Sequence, residues 1–168
     1  MKINFKEMAG LDGPIQLETQ LDMSQALGSR RDILRHTPVH AELTAEFAAG
    51  IFLIDGQLDG DIVFSCSRCL DEVSEHIHVP FHESFSQDEQ FKDENEEDDV
   101  FYIPQNEFDL VPYLEAAYLM SVPFVALCKE DCRGLCPVCG TNRNETDCSC
   151  RMERIDPRLA ELQKFFEK

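Results

Sequence analysis

The sequence predicts an α+β fold: an antiparallel β-meander or partly closed barrel with one packed helix, then a C-terminal cysteine-rich zinc module and a terminal helix. Three observations predict it. Apolar residues alternate with a period of two through 39–47 and again through 73–85. A single helical stripe recurs through 110–118, and six of the eight cysteines fall after residue 127. The 168 residues suit one domain or one domain plus a small module, and a 43% hydrophobic content is enough to form a core.

Taken in order, Ile3 and Phe5 alternate as the start of a strand. Residues 12–38 are less legible: Ile15, Leu17 and Leu21 half-alternate, and Ser29-Arg30-Arg31-Asp32 reads as a loop. From Val39 the pattern is clear. Val39, Ala41, Leu43, Ala45 and Phe47 face one way, with His40, Glu42, Thr44 and Glu46 opposite. Ile51 to Ile54 is apolar throughout, as in a strand covered on both sides, and Asp59-Gly60 makes a plausible turn into 62–66. A further strand carries Val73, Ile77, Val79, Phe81 and Phe85, so that Cys66-Ser67-Arg68-Cys69 sits at the tip joining two strands. His76, His78 and His82 occupy its opposite face and are read as solvent-facing residues rather than ligands. Val100 to Ile103 resumes a strand.

Asp109 caps a helix in which Leu110, Leu114, Ala117 and Tyr118 form the packing stripe, with Pro112 in the first turn and Pro123 beyond the end. A second helix starts at Asp156-Pro157, with Leu159, Leu162, Phe165 and Phe166 on its apolar side.

The formal charge of −18 is unevenly placed. Residues 1–127 hold seven basic and 25 acidic side chains, whereas 128–168 hold eight of each and are neutral. The expected organisation is therefore an acidic sheet domain over 1–127, with a mobile acidic loop over 86–99, and a metal-binding module with its helix over 128–168. Residues 88–99 contain eight acids and one Lys92, a block that repels itself and lacks apolar surface to bury. It reads as a solvated loop or as an anionic arm for a basic partner, with Asp93, Glu94, Glu96, Glu97, Asp98 and Asp99 as its contacts. General phosphate attraction is disfavoured by this charge. The neutral tail is exempt, and Arg143, Arg151 and Arg154 are its candidates for an RNA contact. No run of about 18 apolar residues exists, and the first residues lack the long apolar region of a signal peptide, so a cytoplasmic protein is expected.

In such a compartment the eight cysteines should be reduced thiols. Cys136-Pro137-Val138-Cys139-Gly140 followed by Cys148-Ser149-Cys150 has metal-site spacing. Pro fixes φ on entry to the turn, and Gly after the second Cys accepts an unusual φ while backbone N–H groups point at sulfur. Two Cys₄ sites are one partition: Cys136, Cys139, Cys148 and Cys150 in the first, and Cys66, Cys69, Cys128 and Cys132 in the second. The rival is one ribbon-like site from Cys66, Cys69, Cys136 and Cys139, and a third reading leaves Cys66 and Cys69 as free strand thiols. One or two structural zinc ions are expected, in preference to iron–sulfur. Each Cys₄ zinc site would add a formal −2, so two would take the chain to about −22.

No catalytic constellation is present in the sequence: it holds no G-x-S-x-G, no phosphate-cradling glycine loop, no dinucleotide fingerprint and no H-E-x-x-H. All-cysteine zinc sites are normally closed and structural, so no enzyme and no small-molecule substrate are expected.

The pair Cys66-Ser67-Arg68-Cys69-Leu70 at a hairpin tip, the acidic middle and the run from Cys128 through Cys132-Arg-Gly-Leu-Cys136-Pro-Val-Cys139-Gly-Thr-Asn142-Arg-Asn144 resemble the YceD family. The resemblance covers most of the chain. It implies a bacterial cytoplasmic protein supporting accumulation of large-subunit (23S) ribosomal RNA, and it carries no catalytic residues. Combined with the charge, it points to a basic ribosomal protein or a large-subunit assembly intermediate as partner. Two alternatives stay open: a zinc module that binds rRNA directly, and a zinc chaperone regulated by thiol oxidation.

Overall fold

The computed structural model describes residues 1–10, 13–91 and 100–150. Strands dominate: β1 (Lys2–Asn4), β2 (Ile15–Leu21), β3 (Ile33–His36), β4 (Val39–Ala48), β5 (Ile51–Ser65), β6 (Glu72–Ser86), β7 (Val100–Tyr102) and β8 (Glu107–Asp109). Among the described residues the helices are α1 (Phe5–Ala9), α2 (Ser24–Leu27) and α3 (Val111–Ser121). None is long and apolar enough to cross a membrane.

The main sheet is open, in the order β2-β4-β5-β6-β7, and β3 extends the β4 edge of β5 by pairing with Ile62–Phe64. Its centre is the expected meander, since β4, β5 and β6 are consecutive antiparallel strands. Two features depart from a meander or barrel. Strand β7 pairs parallel to β6 through Ser84–Ser86, and β1 pairs with β8 in a separate two-stranded sheet. A parallel neighbour needs a crossover rather than a tight turn, and the acidic stretch after Phe91 lies on that connection. The segment expected as a loop over 86–99 starts with structure: Ser86 ends β6 fully buried, and Glu89–Phe91 form a 3₁₀ turn. Residues 92–99 lie outside the described residues, as does the helix expected from Asp156.

The Asp59-Gly60 turn does not form. Strand β5 runs unbroken through both residues, and β4 joins β5 instead at Ala49 and Gly50, both at positive φ (52° and 83°). A two-residue turn of that hand matches the twist of the flanking strands. The strand glycines have another cause, which is close approach. A Cβ on Gly60 would sit 2.6 Å from the Tyr118 hydroxyl, and one on Gly56 would sit 2.1 Å from the Glu42 carbonyl oxygen. Strand β5 also alternates from its start, with Phe52 and Ile54 buried and Ile51 and Leu53 only half-buried, so it is covered on one face rather than two.

The covered face packs against α3 through Leu114 and Tyr118, both buried. The cap position is Leu110, without a side-chain cap bond, rather than the expected Asp109. Asp109 ends β8 one residue earlier, where its carboxylate accepts from the Val111 N–H at 3.1 Å and from the Met1 ammonium at 2.7 Å. Phe85, Phe108, Phe101 and Tyr113 form a ring cluster with centroids 4.7–5.5 Å apart across the contacts Phe85 makes. Edge and offset contacts of this kind add to plain area burial.

The opposite face is polar. His76, His78 and His82 stand there, exposed as expected, and each lies directly across from an aspartate of β5: Asp61, Asp59 and Asp55. His76 bonds Asp61 at 2.9 Å and Asp59 at 3.2 Å, His78 bonds Asp59 at 2.7 Å, and His82 bonds Asp55. The hydrogen bond to Asp61, opposed by desolvation and reinforced by Asp59, raises the His76 pKa above its ordinary value. Because the folded pKa is raised, this pairing supports the fold at low pH and fades as pH rises through that pKa.

Two outcomes follow. Gly60→Ala should lose about 1–3 kcal/mol in urea unfolding, with partial recovery in Tyr118→Phe, whereas Gly56→Ala should lose more because a backbone oxygen cannot move aside. In an NMR titration His76 should protonate above the ordinary imidazole value, and Asp61→Asn should bring it down; an unchanged midpoint would remove Asp61 as the cause.

Candidate metal centres

The eight cysteines fall into two groups. Within each group, all four sulfurs lie within 4.8 Å of one another. Cys66, Cys69, Cys128 and Cys132 form the inner centre, and Cys136, Cys139, Cys148 and Cys150 form the outer one. This is the two-group partition; Cys66 and Cys69 do not share a group with Cys136 and Cys139. These are the groups with metal-holding geometry among the described residues, and the β6 histidines belong to neither.

The inner centre starts with the knuckle that ends the β5–β6 hairpin. Backbone bonds from Leu70 N to Cys66 O at 2.9 Å and from Cys66 N to Asp71 O at 2.8 Å close the turn, with Leu70 at φ 66°. The chain after α3 returns to this tip: Ser67 N donates to Ala126 O at 2.9 Å, and Cys128 N points at the Cys66 sulfur at 3.4 Å. Arg68 clamps the next turn, its guanidinium donating to Cys132 O at 2.9 Å and Glu130 O at 3.3 Å while its carbonyl accepts from Leu135 N at 3.0 Å. Gly134 is required at that approach. It sits at φ 68°, and a Cβ there would lie 2.9 Å from the Arg68 oxygen. The sulfurs of Cys66 and Cys132 are 3.8 Å apart and those of Cys69 and Cys128 3.5 Å, far beyond a disulfide bond of about 2.05 Å. Cys66, Cys69 and Cys132 are buried and Cys128 is exposed.

The outer centre repeats the knuckle. Gly140, at φ 75°, donates to Cys136 O at 2.8 Å, and Cys136 N donates to Thr141 O at 2.8 Å. Only Cys136 is buried here; Cys148 is half-buried, and Cys139 and Cys150 are exposed.

Within each centre the thiols divide by acidity. Burial opposes ionisation of Cys66, but N–H groups of Arg68, Cys128 and Cys69 aimed at its sulfur bring it down to about 6. Burial also opposes Cys132, which the Asn144 amide and Gly134 N–H pull below the ordinary thiol value. Burial pushes Cys69 and Cys128 up. In the outer centre the Thr141 hydroxyl, then its N–H, lowers Cys139 to about 6, and N–H groups of Cys139 and Val138 lower Cys136. Neighbouring Cys139 lifts Cys150 to about 12, and Cys136 lifts Cys148. Each centre thus sets two more acidic sulfurs beside two less acidic ones, a donor set able to hold a metal ion and shed protons as it does so.

Sequence reasoning missed the residues that surround the sulfurs. Asp71 accepts from the Cys69 thiol at 3.1 Å and from the Asn142 amide at 3.0 Å, and Asn144 donates to the Cys132 sulfur at 3.3 Å. Polar residues at fixed offsets from each C-x-x-C pair were the available signal. Arg143 is half-buried and donates its N–H to Gly134 O at 2.9 Å. The other residues expected to meet a partner, Asp93, Glu94, Glu96, Glu97, Asp98, Asp99, Arg151 and Arg154, lie outside the described residues.

Comparison with known proteins adds the context. The chain is 34% identical over 122 residues to an uncharacterized protein of Mycobacterium tuberculosis, covering 72% of this chain and 58% of that one. A Mycobacterium leprae protein is 31% identical over 126 residues, again with 58% of its length covered. The Bacillus subtilis protein YlbN is 24% identical over 158 residues, covering 91% of this chain and 88% of YlbN. The chain therefore spans less than two thirds of the mycobacterial relatives it matches. No solved structure matches it. The profile described as "Large ribosomal RNA subunit accumulation protein YceD" matches residues 54–166, from near the start of β5 through both cysteine centres. By that match the chain belongs to the YceD family of large ribosomal RNA subunit accumulation proteins.

Proposed function

We propose that this protein is a non-enzymatic ribosome-biogenesis factor, which supports accumulation of 23S rRNA by binding a basic ribosomal protein or an assembly intermediate that contains one. Family membership is the observation that carries the reading. Charge supports the choice of partner. The outer sheet face presents Glu18, Glu42, Glu46, Asp55, Asp59 and Asp61, and the acidic residues 93–99 add to the same sign. A face of this kind attracts Lys- and Arg-rich surfaces and repels bare phosphate. The neutral segment from 128 onward is a separate unit in this reading, and Arg143, Arg151 and Arg154 give it a subsidiary RNA contact. The setting is the bacterial cytoplasm.

Both centres hold structural zinc in this reading. For a zinc–sulfur bond of about 2.3 Å, a regular tetrahedron of sulfurs has edges of about 3.8 Å. The inner sulfur pairs at 3.8 and 3.5 Å suit that size. With four thiolates in each set, no position is left for substrate. The inner ion would staple the β5–β6 tip to the chain after α3, and the outer ion would hold the second knuckle.

Native mass spectrometry of protein purified without chelator should show two zinc ions per chain. One ion would favour a single-site arrangement, and none would defeat the structural-metal reading. Zinc binding contributes on the order of 10 kcal/mol to small zinc folds. Chelation should therefore abolish amide-exchange protection through 128–150 and leave β4–β6 protected; loss across the whole sheet would contradict the division into two units.

Affinity capture from a bacterial lysate should retain basic large-subunit proteins after nuclease treatment. Capture of rRNA alone, unaffected by depletion of ribosomal proteins, would overturn the partner assignment.

A further inference from the structure

The side chains of Asn142 and Asn144 belong to the outer centre by sequence and to the inner centre by contact. Both lie between Cys139 and Cys148, on the segment returning from the outer knuckle. That segment is fixed to the chain before the knuckle by the Leu135–Asn142 bridge and by Arg143 N donating to Gly134 O at 2.9 Å. From there the two amides reach the inner sulfurs. Asn144 Nδ2 donates to Cys132 Sγ at 3.3 Å, while Asn142 Nδ2 donates at 3.0 Å to Asp71, the carboxylate that touches Cys69.

Asn144 has little freedom in this pose. Its Oδ1 accepts from Arg133 N at 2.8 Å, and its own N–H and Nδ2 both donate to Asn142 Oδ1, at 3.0 and 2.9 Å. One asparagine thus seats the other, and the pair presents an N–H to a buried sulfur. A donor to a ligating sulfur stabilises the thiolate and orients it, and removing such outer partners typically costs 10–100-fold in metal affinity.

We propose that Asn144, seated by Asn142, couples the two centres, so that zinc at Cys136, Cys139, Cys148 and Cys150 strengthens zinc binding at Cys66, Cys69, Cys128 and Cys132. The inference rests on the zinc reading above. An ion held by Cys139 and Cys148 would close the loop that carries both asparagines, so the entropy of ordering that loop would already be lost when the inner centre binds its ion. An empty outer centre leaves the loop held by its own hydrogen bonds alone. By linkage the effect is reciprocal, and the inner ion strengthens the outer one by the same factor. Asn144 acts here as a positioning residue: it touches a ligand sulfur and takes no place in the coordination sphere.

The test uses the full chain and zinc titrated against a competing chelator. Cys139→Ser with Cys148→Ser removes the outer centre, and Cys66→Ser with Cys69→Ser removes the inner one. In the wild-type chain the product of the two zinc association constants should exceed the product of the two single-centre constants by about tenfold. Equal products would overturn the coupling and leave two-zinc binding intact. A wild-type chain that binds no zinc would overturn the zinc reading and the coupling with it. Asn144→Ala in the chain with all eight cysteines covers the case of a cysteine variant that does not fold. It should lower the wild-type product by about tenfold and, with cobalt in place of zinc, move the thiolate-to-metal charge-transfer band to lower energy. An unchanged product and an unchanged band would overturn the role of Asn144.

Discussion

Four sulfurs held within 4.8 Å of one another cannot all carry negative charge without a cation among them. This constraint governs both ends of the cysteine-rich segment. Without a cation the protons distribute, with Cys66 and Cys139 held near 6 by donors aimed at their sulfurs and Cys69 pushed up by burial. The backbone is arranged for the ionised form. N–H groups converge on Cys66 and Cys136, glycines at φ 68° and 75° permit the turns, and Arg68 ties the two strands of chain that must meet. The order of residues 126–135 at the hairpin tip depends on this convergence.

The sheet supplies the platform, and its two faces do different work. On the covered face Tyr118 of α3 leaves Gly60 no room for a side chain, and at Gly56 the backbone of β4 does the same. The outer face sets a histidine of β6 directly across from an aspartate of β5 at three positions along the pair. Arg35 with Glu72, at 2.6 Å, is the guanidinium pair at the β3 edge of the same face. The result is an acidic surface whose shape is fixed by strand register rather than by long flexible side chains.

Much of this was legible because β-strands and C-x-x-C knuckles leave local signatures. Period-two alternation located β4 and β6, the Asp109 and Pro112 signals located α3, and cysteine spacing located both knuckles. What escaped was set by distant partners. Asp59-Gly60 has the composition of a turn, yet Gly60 is small because Tyr118, 58 residues later, passes over it. The real turn, at Ala49-Gly50, puts an alanine at positive φ, which composition does not announce. The parallel pairing of β7 with β6 reverses a strand direction that alternation cannot encode. Grouping the eight thiols needed the third dimension, since Cys66 and Cys132 are 66 residues apart in sequence. Asn142 and Asn144 stand within the cysteine motif, but nothing local shows that their amides turn to Asp71 and to the inner sulfur of Cys132.

The β5–β6 hairpin has a further consequence through its length alone. Each arm has 15 residues, and at about 3.3 Å per residue an arm reaches up to roughly 50 Å. The cysteine knuckle occupies one end. At the other, β7 lies against Ser84–Ser86, so the acidic run leaves and rejoins the described chain there. The hairpin is therefore a spacer as well as a scaffold. A molecule that engaged both ends at once would have to span up to roughly 50 Å.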